Sequence, residues 1–430
     1  MSTFNSTISG SGDSLFGTQA NQLVQGTDNP QLMGSRFDGS CVVGAGGDDT
    51  ITAKAPVSSL SGVGIGTTYA GNSGNDSFDF STYALTSVAV QAGADRDTVL
   101  FDGVLLNSTV ETGADADVVR SRSDVIGSRF ALGSGHDTVA MSGTVTATLI
   151  EGKADADSLV FNEAIIASTI LGNDRAETSG DGNDTIVARR GVSGSSVQGS
   201  KGNDVISISR GLSNSSVGGG EDSDTITVLG AVTGSLINGG SGADTIDLRD
   251  AVTASTVQGD EGDDAIALAA AITSGLLSGA TGNDTIVVAG TAVGSSIGGG
   301  QNNDVVSLGG ISGGRAGGQL GGDTLMVGGN VTGALLDLAP TTSAEDSLDL
   351  ADSLAVTGVL SGSTVYTGYG DDTVSVLGFV SASTIYGGTG NDVIAITSVA
   401  AGVFDLGAGD NVITAAGATS SSVQGGSGND

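Results

Sequence analysis

The chain has 430 residues, 74 of them glycine, with three prolines, no tryptophan and 3% aromatics, which excludes collagen, proline-rich linkers and the large-side-chain core of an ordinary α/β enzyme. Its formal net charge of −34, from 48 acids and 14 bases, excludes nucleic acid and anionic membrane as partners, because both need basic patches. The single cysteine, Cys41, leaves no intrachain disulfide and no cysteine-type zinc site, and no apolar run is long enough to span a membrane.

The N-terminus, MSTFNSTISGSGDSLFG, has no basic n-region and no apolar h-region, so an ordinary signal peptide is not expected. Residues 1–40 read as a cap or as degenerate repeats. From 41 to 430 the chain is periodic. An aspartate follows a glycine-rich run and precedes a β-branched pair, as in GGSGADTIDL (239–248) and GATGNDTIVV (279–288). This marker stands at Asp97, Asp117, Asp137 and Asp157, then at Asp184, Asp204, Asp224, Asp244, Asp264, Asp284 and Asp304, each 20 residues apart, and again at Asp372 and Asp392. Asp49, Asp76, Asp323 and Asp346 are less regular members, Asn411 holds the marker position once, and Asp430 is the last residue. Irregular spacings place insertions near 50–75, 158–183 and 309–363 of one continuous solenoid.

Apolar residues follow each marker at +2 and +4, for example Ile246 and Leu248, with further columns at +8 (Val252) and +13 (Val257). Alternation of this kind means a short strand with one face buried. The expected fold is therefore all-β: a parallel β-helix or β-roll with about 20 residues and two short strands per coil. Each coil buries little alone, and its neighbours complete the core.

Stacked coils put each aspartate above the next. Two unit charges ~4.8 Å apart repel by roughly 0.9 kcal/mol even in water. Regular stacking makes sense if a cation lies between coils. Calcium accepts six to eight oxygens, backbone carbonyls among them, and glycines let a turn point carbonyls inward. Magnesium demands a tighter octahedral shell.

GGSGADTID, GGTGNDVIA (387–395) and GDGNDTIV (180–187) resemble the GGxGxDxUx nonapeptide of the repeats-in-toxin family, the hemolysin-type calcium-binding repeats. The resemblance covers about residues 41–430. It implies calcium ions between successive coils, held by side-chain oxygens of Asp184, Asp204, Asp224, Asp244, Asp264, Asp284, Asp304, Asp372 and Asp392. The other markers, Asp49, Asp76, Asp97, Asp117, Asp137, Asp157 and Asp430, are candidates with them. Carbonyls would come from the turn glycines: Gly180, Gly182, Gly199, Gly202, Gly219, Gly239, Gly240, Gly242, Gly259, Gly262, Gly279, Gly282, Gly299, Gly368, Gly370, Gly387, Gly388 and Gly390. This chain departs from the family in its 20-residue coil and in carrying the motif on one side only, so one column of ions is expected. AGADRD, TGADAD and GKADAD add Asp95, Asp115 and Asp155 where a glycine is usual.

Competing readings stay open. Asp and Asn cap turns without metal. A Ser/Thr column (Ser108, Ser128, Thr148, Ser168, Ser195, Ser215, Ser235, Ser255, Ser295, Ser363, Ser383) reads as a hydroxyl ladder in a tight bend, or as a face for ice or a glycan. His136, the only histidine, sits in a solvent-facing turn slot, and one histidine builds no triad. Asp263 and Asp264 recur in register, unlike a glycosidase pair. Cys41 reads as a small buried residue.

The functional expectation is a secreted, calcium-binding structural or cell-surface rod that folds when calcium binds outside the cell, with no catalytic constellation in this segment. Its partners would be calcium, with cell-surface or carbohydrate contact and end-to-end self-association left open. The alternatives are the repeat module of a larger exported enzyme or toxin, and an adhesin that binds carbohydrate or ice through a Ser/Thr face. The resemblance implies export by the type I route without an N-terminal signal. The chain ends in mid-motif at GGSGND, which reads as a fragment of a longer protein.

Overall fold

The computed structural model is an all-β parallel solenoid with about 20 residues per coil. Residues 5–7, 14–15, 23–25, 32–34, 41–44, 47–52, 66–80, 84–173, 182–339 and 350–430 are described. Every element among them is a strand, and no helix is long and apolar enough to cross a membrane. They belong to two units, Met1–Gly219 and Gly220–Asp430, each built from the same coil.

In the second unit one coil holds strands Thr245–Leu248, Val252–Thr253 and Thr256–Glu261. Each pairs in parallel with its counterpart in the next coil: Ile246 with Ile266, Val252 with Ile272, Val257 with Leu277. The first unit repeats this at Thr98–Phe101, Leu105–Leu106 and Thr109–Ala114. These coils therefore have three strands rather than two, whereas at Thr285–Val293, Val305–Ser312, Thr373–Ser381 and Val393–Ala400 the two shorter strands run together as one. The additional two-residue strand buries one side chain only, so alternation along the sequence cannot reveal it. The four- and two-residue strands share one sheet, and the longer strand forms the other.

The four expected apolar columns lie between these sheets. Ile246, Leu248, Val252 and Val257 are fully buried, as are Val99, Leu105 and Val110. The first unit thickens its core with aromatic rings: Phe80 stacks on Phe101 with centroids 5.3 Å apart, and Tyr69 meets Phe80 edge-on at 4.9 Å. The second unit relies mainly on aliphatic residues and buries Phe404 as its largest side chain.

Before the regular coils, Asn5–Thr7, Leu23–Gln25 and Cys41–Val43 pair in succession, as do Ser14–Leu15, Leu32–Gly34 and Thr50–Thr52. These strands continue both sheets as short repeats. The side chain of Cys41 lies outside the described residues. Ser158–Phe161 pairs directly with Thr185–Ala188, so the surplus there falls at 174–181. Thr324–Val327 pairs with both Val305–Leu308 and Ser353–Val356, which carries the coil repeat through 309–339 and puts that surplus at 340–349. Asp346 and both surplus segments lie outside the described residues, as does Gly180.

Candidate metal centre

The marker aspartates point inward. Asp97, Asp137, Asp157, Asp244, Asp264, Asp284 and Asp304 are each at most 3% exposed. At this corner the chain turns from the longer strand into the four-residue strand, and the aspartate N–H meets a side chain of the next coil. Asp97 N donates to Asp117 Oδ1 at 2.7 Å, Asp137 N to Asp157 Oδ1 at 2.8 Å, and Asp264 N to Asp284 Oδ1 at 2.8 Å. In the first unit this ladder runs from Asp49 to Asp204. In the second it runs from Asp224 to Asp430. Asp323, a less regular marker in the sequence, and Asp352 are rungs too. Asp352 fills the place assigned to Asp346, because the surplus before it hides the spacing.

One carboxylate oxygen per rung is thus a turn cap. The other has no donor: Oδ2 of Asp97, Asp137, Asp157, Asp244, Asp264, Asp284, Asp304, Asp323 and Asp392 is buried without a hydrogen-bond partner. Burial pushes these groups above the ordinary carboxylate range against the pull of the N–H bond, and neighbouring carboxylates add to the rise at all of them but Asp323. Asp264 rises to about 7, Asp304 to about 8 and Asp157 to about 9. A buried acceptor with no donor costs ~1–3 kcal/mol, more when charged.

The predicted glycines divide into two roles. Those two and four residues before the aspartate shape the turn. Gly240 and Gly242 have φ of 120° and 131°, and Gly202, Gly262, Gly282, Gly368, Gly370, Gly388 and Gly390 are also left-handed. At the same position Asp95, Asp115 and Asp155 adopt φ of 75°, 73° and 69°, and Asp95 and Asp155 each accept a glycine N–H of the preceding coil at 3.0 Å. Gly182 packs against the backbone at Ala156, and Gly219 stands five residues before Asp224.

The glycine five residues before the aspartate makes a cradle. A methyl group on Gly199, Gly239, Gly259, Gly279, Gly299 or Gly387 would collide with Oδ2 of its own coil's aspartate. On Gly239 it would also lie 2.7 Å from Gly259 O, and on Gly387 it would lie 2.7 Å from both Asp392 Oδ2 and Leu406 O. A buried carboxylate oxygen and a carbonyl of the next coil therefore converge on one cleft. Both are acceptors, so the cleft calls for a cation or a proton. A hard cation that takes carboxylate and carbonyl oxygens together fits this donor set, and calcium is such an ion. Among the described residues no three His, Cys, Asp or Glu side chains gather around one point, so backbone carbonyls would have to complete any shell.

The Ser/Thr column closes on itself instead. Ser108 N donates to Ser128 Oγ at 3.1 Å, and Ser108 Oγ donates to Leu106 O at 2.8 Å. Ser255, Ser295, Ser363 and Ser383 repeat the pattern. These hydroxyls are at most 7% exposed, so they present no face to ice or a glycan, and that use of the column is corrected.

A second ladder runs beside the first. Where the residue just before the marker is Asn or Asp, its side chain accepts a backbone N–H of the next coil: Asn203 N donates to Asn183 Oδ1 at 2.8 Å, and Asn283 N to Asp263 Oδ1 at 2.7 Å. His136 occupies this slot and meets Ala156. Its sequence signal is the frequency of Asn and Asp there, and it assigns Asp263 a structural bond.

No family model and no curated protein matches the chain. Among solved structures it is similar to a hyperactive, Ca2+-dependent, β-helical antifreeze protein from an Antarctic bacterium, with 24% identity over 67% of this chain and 75% of that one and a TM-score of 0.33. The ice and calcium of that description belong to that protein.

Proposed function

We propose that this β-helical repeat protein is a calcium-binding scaffold, in which calcium ions lie along the aspartate column and make the stacking of coils dependent on the ion. One observation carries the reading: a buried carboxylate oxygen without a donor faces a carbonyl of the next coil across a glycine, and this recurs at Gly71, Gly152, Gly239 and Gly387. Oδ2 of rungs such as Asp244, Asp264 and Asp284 would bind the ion, with the carbonyls of the following coil's glycines. The ion would supply the positive charge that the corner lacks. Extracellular calcium modules bind at ~10⁻⁴–10⁻³ M, so such a chain would fold in calcium-rich surroundings after export. The repeats-in-toxin resemblance and a place outside the cell belong to this proposal.

The test is far-UV circular dichroism during calcium titration of chelator-treated protein, with magnesium as control. A cooperative gain of β signal with calcium alone is expected. A chain already fully folded in chelator and indifferent to calcium would make the carboxylates protonated turn caps.

A further inference from the structure

The glycine cradle is not present in every coil. Five residues before Asp97, Asp117 and Asp137 stand Ala92, Thr112 and Leu132, and before Asp372 and Asn411 stand Thr367 and Leu406. All five side chains are buried, at most 2% exposed. The two threonines put a donor into the cleft: Thr112 Oγ donates to Leu132 O and Thr367 Oγ to Gly387 O, both at 2.6 Å. Each of these acceptors is the next coil's carbonyl at the position that faces Oδ2 across the glycine elsewhere. Asn411 solves the same problem from the marker position. Its Oδ1 accepts Asp392 N at 2.8 Å, as an aspartate would, while its Nδ2 donates to Leu406 O at 3.1 Å. The atom that replaces Oδ2 is a donor, and its partner is the carbonyl that also faces Asp392 Oδ2 across Gly387.

We propose that, in coils of regular length, the residue five places before the rung decides whether the rung takes a cation: glycine leaves a cleft lined by acceptors that binds one, whereas Ala92, Thr112, Leu132, Thr367 and Leu406 fill the cleft with protein and make their rungs metal-free. Resting on the calcium reading, this divides the column into ion-binding stretches separated by coils whose cleft is already filled. The physical reason is that a cleft with acceptors on both sides needs positive charge. A hydroxyl or amide hydrogen supplies it from within the chain, and a methyl or isobutyl group excludes the ion.

The test counts bound calcium by isothermal titration on the full chain, and measures the thermal midpoint in chelator. Thr367→Gly opens a cleft and is expected to bind one more calcium per chain than the parent, at the cost of a lower midpoint in chelator. Asp284→Asn should bind one fewer, and should raise the midpoint in chelator by ~3 °C, since an amide hydrogen replaces an oxygen that lacks a donor. An unchanged count for Thr367→Gly in a parent that binds calcium overturns the proposal. If Thr367→Gly does not fold, Thr112→Gly carries the same readout. If the parent binds no calcium, the calcium reading fails, and Asp284→Asn in chelator still judges the rule: a rise upholds the missing donor, and no rise or a fall overturns it.

Discussion

The regular coils among the described residues turn two corners, and along each corner runs a column of short polar side chains that cap backbone N–H groups of preceding coils. At one corner Ser255 Oγ accepts Ser235 N and donates to Thr253 O. At the other, Asp284 Oδ1 accepts Asp264 N and its Oδ2 meets nothing that can donate. A hydroxyl is both donor and acceptor, so the Ser/Thr column is neutral and complete. A carboxylate only accepts, and it has one oxygen more than the cap requires. Two columns of the same geometry thus differ in what they need from solution: one needs nothing, the other a proton or a cation.

The largest effect should come from pH. The folded-state values of Asp157, Asp264 and Asp304 lie well above the ordinary 3.8. The folded chain therefore binds protons more tightly than the unfolded one. Without calcium, the contribution of these groups is fully present below about pH 4 and is lost as pH rises through about 7 to 9, on the order of a few kcal/mol per rung. Urea melts in chelator at pH 4.5 and pH 9 should show the higher stability at acid pH, and calcium should flatten the slope. A calcium-independent rise with pH would remove the distinction between the corners.

Gly259→Ala comes next. Its methyl group would be forced onto Asp264 Oδ2, with Cγ and Cβ at 2.7 and 2.9 Å. A loss of about 1–3 kcal/mol is expected, as for overpacked cores. Denaturant unfolding, with and without calcium, should show a larger loss when calcium is present.

Ser255→Ala sharpens the comparison from the other side. It leaves Ser235 N–H without its acceptor and should cost ~1 kcal/mol. The same cost in calcium and in chelator is the expected sign of a corner that uses no ion. The smallest effect belongs to the outer ladder, where Asn283 and Asp263 are exposed. Asn283→Ala should lower the midpoint by under ~2 °C, because water replaces the lost bonds.

Much of the coil is legible in the residue pattern. Ile246, Leu248, Val252 and Val257 recur at fixed offsets, and a side chain that recurs in register must meet its own kind in a stacked fold. Strand number was less legible, because Val252–Thr253 is too short to alternate. Asp352 was hidden by the surplus before it, since spacing finds a rung only where the coil length is constant. The Ser/Thr column was visible as a column, but not as a buried one: an outward hydroxyl and a hydroxyl folded back on Leu106 O have the same sequence. The bond between Asn283 and Asp263 is not legible in sequence, because it joins neighbouring coils, twenty residues apart.

The order of residues by itself determines the period, the parallel stacking and which side chains share a column, because these follow from repetition and from the need to bury a thin apolar stripe. Only the tertiary structure decides which oxygen of each aspartate is spent on the backbone, which is left over, and which coils fill the cleft beside it with Thr112, Thr367 or Leu406. The reason is that these bonds form between coils. Their partners are set by how one turn lies on the next, and a side chain five residues away in sequence becomes the wall of the same cleft only when the chain has turned its corner.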